Sequence, residues 1–128
     1  MSAEDVFTSF IAAIEAGDLD GALAFLAEDV EYHNMPMDPA HGRQEARNLL
    51  APLIEPALEV RWEVHRSAMR DPVVFTERTD RFRMPGGWIE IPVVGVAEVR
   101  HDLITLWRDY FDMQGVAQQF QAMAGGSD

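Results

Sequence analysis

The sequence contains no cysteine, which excludes a disulfide framework and any zinc site built on thiolate ligands. It also lacks an apolar run near the roughly 20 residues that a membrane-spanning helix needs. The segment that follows Met1 becomes acidic at once, without the basic and then apolar stretches of a secretory signal. We therefore expect a cytoplasmic protein.

Basic residues are scarce, because 10 Lys and Arg stand against 22 Asp and Glu and give a net charge of −12. Nucleic acids and anionic membranes attract basic surfaces, so this balance argues against both as partners. A neutral or cationic small molecule suits the charge better. The alternative is that the charge serves only to keep the protein soluble.

Residues 1–128 are predicted to form one domain, since no linker, repeat or low-complexity block interrupts the chain. Apolar residues follow helical spacing at first and alternate, as in strands, later on. The predicted elements of the first half are a helix capped by Ser2 and ended by Gly17, a helix from Asp18 or Asp20 through Leu26, a strand over Val30–Met35 and a helix over Gly42–Ile54.

The second half is predicted to be a series of strands joined by short turns. These strands are Val60–Ala68, Val73–Arg83, Trp88–Arg100 and Leu103–Phe111, followed by a short helix through Phe120 and a loose end over Gly125-Gly126-Ser127-Asp128. Short connections favour an antiparallel meander. Helices followed by strands predict an α+β fold, in which the sheet curls around the helices and leaves a cavity. Apolar residues on the outer sheet face would favour a homodimer.

Two strand segments carry acids where strands usually carry apolar residues. Residues two apart share a face of a strand, so Arg78 and Asp80 point the same way, as do Trp107 and Asp109. If both faces meet in one interior, two carboxylates and a guanidinium lie together in an apolar pocket. Buried charges need partners and often mark a site of acid–base catalysis.

The segments Tyr32-His33-Asn34-Met35-Pro36, Glu77-Arg78-Thr79-Asp80 and Trp107-Arg108-Asp109-Tyr110-Phe111-Asp112 together resemble the limonene-1,2-epoxide hydrolase family. The three motifs occur in the family's order and near its spacing. The resemblance implies a cone-shaped α+β fold of the nuclear transport factor 2 type, also called cystatin-like or SnoaL-like, with a strongly curved, largely antiparallel mixed sheet around a deep apolar pocket. It further implies a homodimer and no cofactor.

Carried over position by position, the resemblance implies a role for each of five residues. Asp80 matches the family's general acid, Asp109 its general base and Arg78 the arginine that bridges them. Tyr32 and Asn34 match the residues that hold the attacking water. The substrate side of the pocket is expected to be Phe82, Ile91, Val93, Trp107 and Phe111.

This set suits the opening of an apolar cyclic or aryl epoxide to a vicinal diol, because one carboxyl must be neutral while the other is ionised. The segment before Tyr32 is shorter than in limonene-acting members, so no substrate preference is carried over. Two alternatives remain. One is an isomerase or cyclase of the same fold, which explains one aspartate, and the other is a non-catalytic small-molecule-binding domain. The spacing of His33, His41, His65 and His101 predicts no metal site.

Overall fold

A computed structural model describes residues 1–125, which form four helices and six strands. The elements in chain order are α1 (Ala3–Glu15), α2 (Leu19–Leu23), β1 (Leu26–Asn34), β2 (Ala40–His41), α3 (Gly42–Ile54), β3 (Glu59–Arg70), β4 (Val73–Met84), β5 (Gly87–Arg100), β6 (Leu103–Tyr110) and α4 (Met113–Gly125).

The six strands form one mixed sheet in the order β2-β1-β6-β5-β4-β3. Strands β3 to β6 are the predicted antiparallel meander, and β1 runs parallel to β6. Helix α1 contacts β3, β4, β5 and β6, so the sheet curls around it, but the edge strands β2 and β3 do not pair and the sheet stays open. The predicted single-domain α+β fold is confirmed.

Helix α1 begins as the sequence predicts, with Ser2 and Asp5 in a reciprocal capping box. Its buried face includes Phe7, Phe10 and Ile14 and fills the concave side of the sheet. Helix α3 spans its predicted range, with Pro52 inside its last turn. The helices thus supply one wall of the interior and the sheet supplies the other.

The largest differences from the predicted boundaries lie between α2 and β1 and at the end of α4, and the short strand β2 was not predicted. Leu26, which was expected in the second helix, opens β1, because it pairs with Ile104 of β6 and this tertiary pairing outweighs local helical spacing. Helix α4 continues beyond Phe120 to Gly125. Gly125, which was predicted in the loose end, is therefore the last residue of α4, and the rest of that prediction, residues 126–128, lies outside the described part of the chain.

The outer face of the sheet carries exposed apolar side chains, namely Phe75, Trp88, Val94 and Tyr110. Val94 on β5 lies directly opposite Tyr110 on β6, and Phe75 is on the neighbouring strand β4. Within residues 1–125, no helix has both the length and the apolar character needed to cross a membrane.

Candidate active site

Arg78 lies at the centre of a buried polar cluster on the concave face of the sheet. Its side chain has no exposed surface. Nε donates to Oδ1 of Asp80 at 2.8 Å and Nη2 donates to Oδ2 at 3.1 Å, so the guanidinium holds both carboxyl oxygens. This contact follows from strand parity, because Arg78 and Asp80 are two apart on β4.

The same guanidinium also holds Asp109, which lies on β6. Nη2 of Arg78 donates to Oδ2 of Asp109 at 2.6 Å, and Nη1 donates to the hydroxyl of Thr76 at 3.0 Å. One buried cation therefore joins two buried carboxyls, as the sequence predicted for these three residues.

Gly95 creates the space for this bridge, because β5 lies between β4 and β6. Its position in the sheet is opposite both Thr76 and Asp109. A Cβ atom on this glycine would overlap Nη1 of Arg78 and would lie 2.8 Å from Oδ1 of Asp109. The residue of β5 at this point must therefore have no side chain, so that the guanidinium can reach β6.

Trp107 fixes the second carboxyl from behind. Its indole Nε1 donates to Oδ1 of Asp109 at 2.8 Å. The indole also stacks on Tyr32, with ring centroids 4.1 Å apart and an interplanar angle of 10°. Strand parity within β6 explains the hydrogen bond, and the parallel pairing of β1 with β6 explains the stacking, because it sets Tyr32 opposite Trp107. The same pairing sets Asn34 opposite Asp109.

Burial dominates the electrostatics of the cluster. It raises the pKa of Asp80 to about 7, even though the Arg78 guanidinium acts to lower it, and the nearby Asp109 charge adds to the rise. Burial also raises the pKa of Asp109, against the hydrogen bonds from Arg78 and Trp107. One guanidinium balances one carboxylate, so the neutral form of the cluster has one carboxyl protonated.

Tyr32 remains a neutral phenol at all ordinary pH values. Burial, and then the charge of Asp109, raise its pKa above the usual range. The hydroxyl can therefore donate or accept a hydrogen bond beside Asn34 without exchanging charge. These two side chains can orient a water molecule next to Asp109.

The cluster opens on a cavity of about 50 Å³. Its lining contains Tyr32, Asn34, Leu50, Leu53, Trp62, Asp80, Phe82, Ile91, Val93, Asp109 and Phe111. Four of the five residues that were predicted to contact substrate are in this lining. Trp107 lies behind it, fully buried between Tyr32 and Asp109, and there it supports the carboxyl.

The sequence reasoning missed three lining residues, Leu50 and Leu53 of α3 and Trp62 of β3. Trp62 of β3 lies opposite Asp80 of β4. The alternation of residues along β3 could therefore have indicated that Trp62 shares the face of the sheet that carries Asp80. Its ring lies over the Arg78 guanidinium at 5.1 Å, and its Nε1 has no hydrogen-bond partner among the described residues. Sequence spacing gave no signal for the α3 residues, since their contact depends on how the helix crosses the sheet.

Two charged residues of the last motif lie outside the cavity lining and contact other parts of the protein. Arg108 lies 3.3 Å from Glu31, and Asp112 accepts a hydrogen bond from the backbone of Gln114 at the start of α4. Among residues 1–125, no group of three or more His, Asp or Glu side chains is placed to hold a metal ion.

Comparisons with known proteins agree with this geometry. The sequence model of the limonene-1,2-epoxide hydrolase family, which describes its catalytic domain, matches residues 1–122. The epoxide hydrolase EphG of Mycobacterium tuberculosis (strain ATCC 25618 / H37Rv) is 32% identical over 105 residues, which cover 82% of this chain and 70% of the relative.

Solved structures give the same result for the fold. An M. tuberculosis LEH-like epoxide hydrolase superposes with a TM-score of 0.79 at 29% identity, over 97% of this chain and 96% of the other. A SnoaL-like protein from Shewanella denitrificans OS-217 reaches a TM-score of 0.82 at 18% identity, over 94% and 97% of the two chains. The second likeness concerns the fold alone.

Proposed function

Because the chain belongs to the limonene-1,2-epoxide hydrolase family, we propose that it converts an apolar cyclic or aryl epoxide into a vicinal diol, in one step and without a cofactor. The observation that carries the proposal is the single buried guanidinium of Arg78 between the carboxyls of Asp80 and Asp109. An epoxide opens most easily when its oxygen receives a proton while water attacks carbon, which requires an acid and a base at the same pH.

Asp80 is the proton donor in this proposal. Its carboxyl is in the cavity lining, and its pKa of about 7 leaves much of it protonated at neutral pH. The apolar side chains of Phe82, Ile91 and Val93 surround the same cavity and exclude water from the acid.

Asp109 is the base. Each of its oxygens accepts a hydrogen bond from a fixed donor, Nη2 of Arg78 or Nε1 of Trp107, and both bonds favour the ionised form. Asp80 also accepts two hydrogen bonds, but both come from the guanidinium that the two carboxyls share, whereas Asp109 has a separate donor in the indole, and the charge of Asp109 raises the pKa of Asp80. The proposal therefore assigns the shared proton to Asp80, which makes Asp80 the acid and Asp109 the base.

The step balances without a covalent enzyme intermediate. Water held by Asp109, Tyr32 and Asn34 forms a C–O bond as the epoxide C–O bond breaks. Asp80 gives its proton to the leaving oxygen, and Asp109 takes a proton from the water. Transfer of that proton back to Asp80, directly or through solvent, restores the starting state.

The bridged pair also separates the proposal from its alternatives. An isomerase or cyclase that moves one proton needs one carboxylate, and it gives no reason for a second carboxylate on the same guanidinium. A non-catalytic binding module needs neither of the two carboxylates. Taking three ionisable groups out of water costs several kcal/mol per ion, which their pairing must offset, so an inert pocket gives no reason for this cluster.

The test is diol formation from a panel of epoxides by the wild type, Asp80→Asn and Asp109→Asn. Each variant should lose about 10²–10⁴-fold in kcat, because each removes one proton-transfer group. Asp112→Asn is the matched control, since Asp112 belongs to the same motif but caps α4, and it should retain full rate.

A single turnover in oxygen-18 water distinguishes direct attack by water from a covalent ester. In the proposed step the label appears only in the diol. Label in a carboxylate of the protein after one turnover would rule out the one-step route. A near-full rate in either Asn variant would overturn the assigned roles.

The proposal extends to a homodimer formed through the outer face of the sheet. Phe75, Val94 and Tyr110 are each between 45 and 49% exposed and lie on three neighbouring strands. A contiguous apolar face of this kind favours association with a second copy of the same face.

A further inference from the structure

Trp62 lines both the cavity that holds Asp80 and Asp109 and a second, larger cavity. The second cavity, called here the helix cavity, has a volume of about 320 Å³ and lies between α1 and strands β3 and β4. Its apolar surface comes from Phe7, Ile11 and Val74, among others. Among the described residues, Trp62 is the one that lines both cavities.

The two volumes are very unequal. Pockets for drug-sized ligands are typically about 300–1,000 Å³. The helix cavity reaches this range, whereas the 50 Å³ beside the carboxyls is far below it. The site of the proposed chemistry is thus confined, and the side chain of Trp62 is common to its lining and to that of the larger cavity.

The indole of Trp62 is held by ring contacts and by the Arg78 guanidinium that lies over it, without a hydrogen bond. It packs edge-on against Phe10 and Phe82, and its Nε1 donates to no partner in residues 1–125. The hydrogen bond that Glu15 accepts comes from the backbone N–H of Trp62 and not from its ring. A shorter side chain at this position therefore breaks no hydrogen bond of the strand or of the indole.

We propose that Trp62 sets the upper size limit of the substrate by closing the catalytic cavity against the helix cavity. This inference rests on the proposed epoxide hydrolase function, which it deepens by naming the substrate class. The wild type binds compact apolar epoxides. The half-buried side chains of Leu53 and Phe111 in the cavity wall move aside to admit them. Shortening Trp62 joins the two cavities, and epoxides with a second bulky apolar group then fit.

The experiment compares cyclohexene oxide, a compact substrate, with trans-stilbene oxide, which carries two phenyl rings. We expect Trp62→Leu to raise the ratio of kcat/KM for the large over the small epoxide at least ten-fold. Trp62→Phe keeps an aromatic ring in the core and should raise this ratio less. If the Leu variant does not fold, the Phe variant is compared with the wild type instead.

A second substitution tests whether the gain uses the helix cavity. Ala12 is on the exposed side of α1 and lines that cavity, so Ala12→Phe fills it. In the Trp62→Leu background this change should return the substrate ratio to within about two-fold of wild type. Ala16→Phe, at the C-cap of the same helix and outside the lining, is the matched control and should leave the gain intact.

Binding of the neutral fluorescent probe N-phenyl-1-naphthylamine separates this inference from the proposed function, because it requires no turnover. Trp62→Leu should bind the probe at least five-fold more tightly than wild type, and Ala12→Phe should remove that gain. If the wild type hydrolyses neither epoxide, the proposed function fails, and the probe still decides whether the cavities join. An unchanged substrate ratio, or a gain that Ala12→Phe leaves in place, would overturn the role of Trp62.

Discussion

The guanidinium of Arg78 on β4 reaches across an entire strand to Asp109 on β6, where Nη2 and Oδ2 are 2.6 Å apart. Side chains on adjacent strands are natural neighbours, but these two strands are separated by β5. The contact exists because the intervening position is Gly95, which leaves the backbone of β5 bare beneath the guanidinium. The geometry of the bridged carboxyl pair therefore depends on a residue with no side chain.

The first prediction concerns this glycine. Gly95→Ala should lower kcat by about 10²-fold, because its methyl group pushes Arg78 away from Asp109 and small displacements of positioned groups are costly. The protein should still fold, at a cost of about 1–3 kcal/mol for overpacking. Steady-state kinetics and urea unfolding measure the two effects.

Gly86→Ala is the control for Gly95→Ala. A Cβ at Gly86 would meet the flexible end of Met123 at 3.1 Å, away from the carboxyls. Its activity should stay within about two-fold of wild type. If Gly95→Ala also kept its activity, the guanidinium would have another route to Asp109 and the argument from the bare strand would fail.

The second prediction links the pKa of Asp80 to stability. A carboxyl whose pKa rises from 3.8 to about 7 on folding binds its proton more tightly in the native state. Its contribution to stability is complete below pH 4, is lost as the pH rises towards 7 and is constant above that. The slope is at most about 1.4 kcal/mol per pH unit for one proton.

The Asp80→Asn variant isolates this contribution, since all other titrating groups remain. The free energy of unfolding of wild type minus that of the variant should fall between pH 4 and pH 7 and then level off, as measured by urea unfolding at several pH values. A difference that rises with pH would mean that Asp80 is ionised in the folded state over this range, and would exclude it as the acid.

The third prediction concerns the outer face of the sheet. Val94→Asp places a charge between Glu77 and Tyr110, at the centre of the exposed apolar face, so it should convert a dimer into a monomer in sedimentation or light-scattering measurements. Ala117→Asp adds the same charge at an exposed position on α4 and should leave the assembly unchanged. A monomeric wild type would contradict the proposed homodimer directly.

Strand parity made much of the site predictable. It placed Arg78 with Asp80 and Trp107 with Asp109 on shared faces, and the structure shows that each pair is hydrogen-bonded. The alternation of residues in β1 similarly placed Tyr32 and Asn34 on one face. In these cases a period of two residues is sufficient, because both partners belong to one strand.

Contacts between elements were harder to predict. The spacing within a strand does not reveal that β1 pairs with β6 in parallel, or that Leu26 joins it there. It also gives no sign that Gly95 is opposite Asp109, or that Trp62 lines two cavities. These relationships depend on strand order and on how α1 lies against the sheet, which local residue patterns do not encode.

The fourth prediction separates the two hydrogen bonds that hold the base. Trp107→Phe keeps an aromatic ring stacked on Tyr32 but removes the Nε1 donor to Oδ1 of Asp109. That bond favours the ionised carboxylate, so its loss raises the pKa of Asp109. Because the base must be ionised to act, the acidic limb of the kcat/KM profile should shift to higher pH, while the limb due to Asp80 moves less.

Phe82→Leu is the control for Trp107→Phe, because it shortens a side chain of the cavity wall without touching Asp109. It should change KM without moving the acidic limb. A profile for Trp107→Phe that fell uniformly at every pH would show that the indole contributes packing alone.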